Sequence, residues 1–222
     1  MGGTQTNRIV IAGMTGGGKS FYARHIIRAM RGRYRQLVII NRKRELSELT
    51  EAAYIVDEQG DPATVLEQHK RLFFQVDGYD PRPFLDNLGG CLMKRSNTLL
   101  VIDEAWEFFS RGRVSRPLFR VLTGGRELGH SIIFVTQMLK SASGGIDLGV
   151  LQQATHLVVF RMQGENDVER VEAYFPELGE GVTRLSRPER GRPPEYAVKN
   201  LMTGRCGIMR RTPNGLLWNV LA

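Results

Sequence analysis

The sequence predicts an α/β fold with a mostly parallel central sheet flanked by helices and a C-terminal β-hairpin. Three observations carry that expectation. Short apolar runs rich in Val, Ile and Leu alternate with helical segments from residue 8 to about residue 185, the pattern of parallel strands covered on both faces. The first run, Arg8-Ile9-Val10-Ile11-Ala12, leads directly into Gly13-Met14-Thr15-Gly16-Gly17-Gly18-Lys19-Ser20, and a helical segment follows. Near the end, Pro213-Asn214-Gly215 separates two strand-like pieces, and Asn-Gly between apolar runs is a strong hairpin signal.

The elements are expected in this order. A helix runs from Lys19 to about Arg31, then a strand over Gln36 to Asn41. Arg42 to Ala53 reads as helical, and Tyr54 to Val56 as a short strand. Asp61 is the N-cap and Pro62 the first residue of a helix ending near Lys70. Arg71 to Val76 is a strand, and Pro81 to Lys94 a helix with Gly89-Gly90 inside it or ending it. Asn97 to Asp103 is a central strand with an acidic tip, and Ala105 to Ser110 begins the next segment. Pro117 to Leu128 is a helix weakened by Gly124-Gly125, and Ser131 to Thr136 a strand ending at Gln137. Leu151 to Ala154 is short and helical, His156 to Arg161 a strand, and Asn166 to Tyr174 a helix. Glu195 to Val198, Arg205 to Arg211 and Leu216 to Val220 close the chain as strands. Ser110 to Arg116, Ser141 to Gly149 and Ser186 to Pro194 are expected loops.

The 222 residues suit one domain over 1–222, with a core at about 8–185 and a strand-rich extension at about 186–222. No apolar run approaches the roughly 20 residues that cross a bilayer, and Met1 to Asn7 lacks the apolar stretch of a signal peptide. The expected location is the cytoplasm. Cys91 and Cys206 match no metal-ligand spacing and read as structural thiols. A net charge of +8, mostly from arginine, favours a polyanionic partner.

Residues 13–20 fill every fixed position of the phosphate-binding loop G-x-x-x-x-G-K-[ST]. Gly13, Gly16, Gly17 and Gly18 let backbone N–H groups converge on phosphate oxygens, with Thr15 in the same loop, and the helix behind adds its positive dipole end. Lys19 is expected on the β- and γ-phosphates and Ser20 on Mg²⁺. Phe21 follows as core or nucleotide-edge packing. The run Leu99 to Ile102 ends in Asp103-Glu104. There Asp103 is expected to hold Mg²⁺, directly or through water, and Glu104 to polarise the attacking water. Gln137, at the tip of another buried strand, can touch the γ-phosphate or that water, although from its position alone a plain strand-end glutamine is the simpler reading. Arg24, Arg28, Arg31 and Arg35 form one helical stripe if the helix continues past Gly32, and Arg42-Lys43-Arg44 and Arg111, Arg113, Arg116 are further basic clusters. Of these, Arg111, Arg113 and Arg116 are the candidates for facing a nucleic-acid backbone, since phosphate contacts supply affinity without sequence preference.

The stretch Gly124-Gly125-Arg126-Glu127-Leu128-Gly129, followed by Ser131 to Thr136 and Gln137, resembles the "G-R-x-x-G, strand, T-Q" signature of the FtsK–HerA superfamily of RecA-like P-loop ATPases. Asp103-Glu104-Ala105-Trp106 is similar to that family's acidic motif, and the resemblance spans about residues 8 to 185. It implies ATP as the nucleotide and Gln137 as a γ-phosphate sensor. It also implies a ring, usually of five or six subunits, in which Arg126 of one subunit reaches its neighbour's nucleotide. Such an arginine can be worth 10³ to 10⁵ in rate; Arg120, Arg116 and Arg161 are rivals for the role. A chain this close to a bare motor is most similar to the genome-packaging ATPases of membrane-containing double-stranded DNA viruses. The implied partners are double-stranded DNA and a capsid or membrane portal component, in the host cytoplasm during assembly or on the virion. A plasmid-borne or cellular DNA-pumping motor and a small-molecule kinase or nucleotide switch are the alternatives.

Overall fold

The computed structural model describes residues 6–56, 61–76, 80–109, 115–140, 145–190, 192–212 and 215–221. Its centre is strand β1 (Arg8–Ala12), which pairs in parallel with β6 (Ser131–Thr136) on one side and β7 (His156–Val159) on the other. Beyond β6 lie β5 (Thr98–Ile102), β2 (Gln36–Asn41), β4 (Arg71–Val76) and β3 (Ala52–Val56), all parallel. Beyond β7 the sheet continues antiparallel through β8 (Tyr196–Asn200), β9 (Cys206–Thr212) and β10 (Gly215–Leu221). The strand order is β10-β9-β8-β7-β1-β6-β5-β2-β4-β3.

The continuous apolar runs are explained by two covered faces. Successive strand residues point to opposite sides. Ile11, Ile39, Val101, Ile133 and Val135 therefore pack with Ala23 and Ile27 of helix α1 (Lys19–Ala29). Val10, Val38, Ile40, Leu100, Ile102 and Phe134 meet the other helices. These are α2 (Pro62–Gln68), α3 (Arg82–Leu92), α4 (Ala105–Phe108), α5 (Arg116–Gly124), α6 (Leu148–Gln153) and α7 (Glu165–Tyr174). Gly89 lies inside α3, where a Cβ would stand 2.4 Å from the Leu118 backbone nitrogen, so α3 and α5 cross with their backbones nearly touching. Cys91 and Cys206 are both unpaired.

Several expected boundaries move. The helix expected over 42–53 is absent: Leu46 takes a left-handed conformation at φ 72°, a single 3₁₀ turn covers 47–49, and β3 begins at Ala52. Side chains compete there for the backbone, with Ser47 Oγ donating to the Arg44 carbonyl and Thr50 Oγ1 to the Ser47 carbonyl. Helix α1 stops at Ala29, and Gly32 at φ 92° turns the chain, so Arg24, Arg28, Arg31 and Arg35 do not share one helix. Helix α5 starts at Arg116, where Ser115 Oγ accepts from the Leu118 N–H, and ends at Gly124 rather than Leu128. Asp147 caps α6 three residues earlier than expected, and β7 ends at Val159. Asp61 does cap α2, accepting from the Ala63 N–H with Pro62 next in line. The loops expected at 110–116 and 141–149 lie partly outside the described residues, as do Arg111 and Arg113. Among the described residues no helix is long and apolar enough to cross a membrane.

Candidate functional site

Residues 13–18 connect the carboxyl end of β1 to α1, and the carboxyl ends of β5 and β6 lie on the same edge of the sheet. In an open parallel sheet this edge is where ligands sit. Gly18 takes φ 106°, open to glycine and costly for other residues, and a Cβ there would stand 2.5 Å from Pro194 Cγ. Two constraints thus coincide on one residue of the loop.

Lys19 is 8% exposed, and its ammonium donates to the Met14 carbonyl at 3.1 Å across the loop. Burial pulls its pKa down while the carboxylates of Glu104, Asp103 and Glu45 push it up, with a net lowering. The Ser20 hydroxyl donates to Glu45 Oε2 at 2.8 Å. Asp103 is 5% exposed; its Oδ2 accepts from the Asn41 amide at 2.9 Å and its Oδ1 from the Glu104 N–H at 2.9 Å. Burial raises the Asp103 pKa to about 6, against the lowering effect of the Glu104 N–H bond and with help from the negative charge of Glu104 and Glu45.

Glu104 sits at φ 51° between β5 and α4. Its Oε1 accepts from the Gln137 amide, and its Oε2 accepts from Trp106 Nε1 at 3.3 Å. Lys43 Nζ is 3.9 Å from Oε1. Gln137 Oε1 in turn accepts from Thr15 Oγ1 at 2.8 Å. A continuous polar chain therefore joins the phosphate loop, the β6 tip and the β5 tip. Lys19, Ser20, Asp103, Glu104, Gln137 and Thr15 thus lie together at this edge of the sheet. Phe21 is 62% exposed beside them.

Two expected residues stand elsewhere. Arg126 lies in the turn before β6, and its guanidinium donates to the Gln153 carbonyl ahead of β7. That is the amino-terminal edge of the sheet, opposite the phosphate loop of its own chain. Arg116 opens α5 and lines a shallow groove with Phe119, Arg120 and Asp147. Of the rival arginines, Arg161 comes nearest the loop, with its carbonyl accepting from the Met14 N–H at 2.9 Å.

Three neighbours escaped the sequence reading: Asn41, Glu45 and the stretch formed by 186–190 and 192–195. The usable signal for Asn41 was a polar residue at the carboxyl end of an apolar strand. Residues 186–190 and 192–195 lie against the loop, where Pro194 covers Gly18 and the Arg187 guanidinium donates to Met14 Sδ at 2.7 Å. Arg211 ties the segment down through the Pro193 and Arg187 carbonyls and Glu189. Glu195, 7% exposed, accepts from the Ser186 and Arg211 N–H groups. Burial opposes its ionisation, but those backbone bonds outweigh it and its pKa falls.

The donor set fits Mg²⁺. A hydroxyl, one buried carboxylate and a second carboxylate one bond away are oxygen ligands of the number that leaves room for water and nucleotide phosphates, the way this cation is usually held. Among the described residues no cluster of three or more His, Cys, Asp or Glu side chains forms an all-protein metal cage.

No protein-family model matches this sequence, and no curated protein matches it. Solved structures share its fold. The genome-packaging NTPase B204 of Sulfolobus turreted icosahedral virus 2, bound to AMPPCP, is 20% identical, with a TM-score of 0.71 over 93% of this chain and 98% of that one. B204 of Sulfolobus turreted icosahedral virus, a DNA-packaging ATPase, is 17% identical with a TM-score of 0.67 over 96% and 100%. VirB4 of Thermoanaerobacter pseudethanolicus is more distant, at 14% identity and a TM-score of 0.54 over 78% and 82%. The chain thus has the mostly parallel α/β fold with a C-terminal antiparallel hairpin that its strands and turns predicted, and it shares that fold with these P-loop ATPases.

Proposed function

We propose that this chain is an ATP-hydrolysing motor that moves double-stranded DNA, assembling as a ring and packaging a viral genome into a preformed capsid. The observation that carries the reading is the polar chain Thr15–Gln137–Glu104, which links the phosphate loop to an acid able to activate water. Lys19 binds the β- and γ-phosphates once its ammonium leaves the Met14 carbonyl. Glu104 orients a water and accepts its proton. Gln137, bonded to both the loop and Glu104, registers the γ-phosphate. Ser20 and Asp103 would hold Mg²⁺, which would supply charge neutralisation at the phosphates. The likeness to B204 over nearly the full length of both chains supports packaging over the other uses of this fold.

Steady-state ATP hydrolysis with and without long double-stranded DNA, at low and moderate salt, tests the proposal. Several-fold stimulation that fades with salt is expected, because phosphate contacts weaken steeply as salt rises. Hydrolysis unaffected by DNA would detach the ATPase from DNA and favour a motor driven by another polymer.

A further inference from the structure

We infer that Glu45 is a positioning residue of the Mg²⁺ site: it accepts a hydrogen bond from the Ser20 hydroxyl, which keeps its proton, and so turns that hydroxyl's lone pair toward the cation. The inference rests on the nucleotide–Mg²⁺ reading above.

A serine that ligates Mg²⁺ through its oxygen keeps its proton. That proton needs an acceptor away from the metal, or the hydroxyl rotates and presents hydrogen instead of a lone pair. Here Glu45 Oε2 accepts from Ser20 Oγ at 2.8 Å. The acceptor is charged, which makes the bond roughly twice as strong as a neutral one.

The chain places Glu45 deliberately. Asn41 ends β2, the strand beside β5, and its side-chain amide donates to Asp103 Oδ2 at 2.9 Å and to the Glu45 carbonyl at 3.4 Å. The Lys43 N–H donates to Asn41 Oδ1, closing the turn. Leu46, next in sequence, is fully buried and left-handed, which anchors the backbone on which Glu45 stands. One asparagine thus sets both the metal-binding carboxylate and the loop that carries Glu45. Partners behind metal ligands commonly change metal affinity 10- to 100-fold when removed.

The test is Mg²⁺ titration of a fluorescent ATP analogue bound to the intact chain, with Mn²⁺ electron paramagnetic resonance as a second readout. Glu45→Ala should raise the Mg²⁺ concentration at half-saturation by about 10- to 100-fold. Glu45→Gln keeps an acceptor oxygen and should raise it less. Analogue affinity in EDTA should stay within about twofold, since no phosphate contact is lost. In a Ser20→Ala background, Glu45→Ala should add less than about twofold, the non-additivity expected of two residues acting as a unit. Unchanged Mg²⁺ dependence in Glu45→Ala overturns the inference, as does an equal loss of analogue binding in EDTA, which marks a purely structural role. If the wild-type chain binds no analogue with or without Mg²⁺, the nucleotide reading itself falls and takes this inference with it.

Discussion

Glu104 combines a left-handed backbone with a carboxylate already bonded to Gln137 and Trp106. Non-glycine residues held in that conformation cost free energy and concentrate at functional sites. Glu104→Gln should keep nucleotide affinity within a few-fold and lower hydrolysis by about 10²-fold or more, the range for losing a general base; equilibrium binding and single-turnover hydrolysis separate the two effects. Asp103 gives a prediction in pH. Its pKa is raised to about 6 in the folded chain from 3.8, so between those values the folded state holds the extra proton and ionisation above them works against folding. Relative to wild type, the melting temperature of Asp103→Asn without nucleotide should therefore rise as pH moves from about 4 to 7. The expected swing is on the order of 2–3 kcal/mol, superposed on a pH-independent cost for the one acceptor oxygen that asparagine replaces with an amide; a difference constant across pH would sink it. Lys19, Ser20, Asp103 and Glu104 were legible because the loop pattern and a strand tip are local in sequence. Asn41 and Glu45 were not, since their partners are 62 and 25 positions away and meet only through the β2–β5 adjacency.

At the scale of elements, the parallel strands were readable because burial on both faces leaves uninterrupted apolar runs. The segment 42–53 misled because its composition is helical while its serine and threonine bond the backbone into turns. Residues 186–190 and 192–195 were opaque for another reason: their composition is that of a loop, and only their ties to Arg211 and Glu195 make them a fixed wall beside the phosphate loop. Arg211→Ala removes charged bonds to two carbonyls and Glu189 at once. It should cost about 2–3 kcal/mol, or about 5–10 °C in melting temperature for a chain of this size, and weaken nucleotide binding several-fold. An equal loss of stability with unaltered nucleotide affinity would show that the wall and the site are independent.

For the whole molecule, Arg126 stands at the amino-terminal edge, bonded to the Gln153 carbonyl and away from the phosphate loop of its own chain, so the role proposed for it lies across a subunit boundary. Mixing Arg126→Ala with Lys19→Ala chains tests that role: each alone should be inactive, and the mixture should recover a measurable fraction of hydrolysis. No recovery would take Arg126 out of the neighbour's site. The contact between Arg187 and Met14 has a further consequence. The two residues are 173 positions apart. At about 5–20 residues per second of synthesis, the loop emerges from a ribosome roughly 10–35 s before the segment that walls it. Strand β1 likewise waits for β6 and β7 on either side. A nascent chain therefore carries the whole phosphate-loop motif while lacking the surroundings that make it a site, so nucleotide capture belongs to the finished protein and not to its fragments.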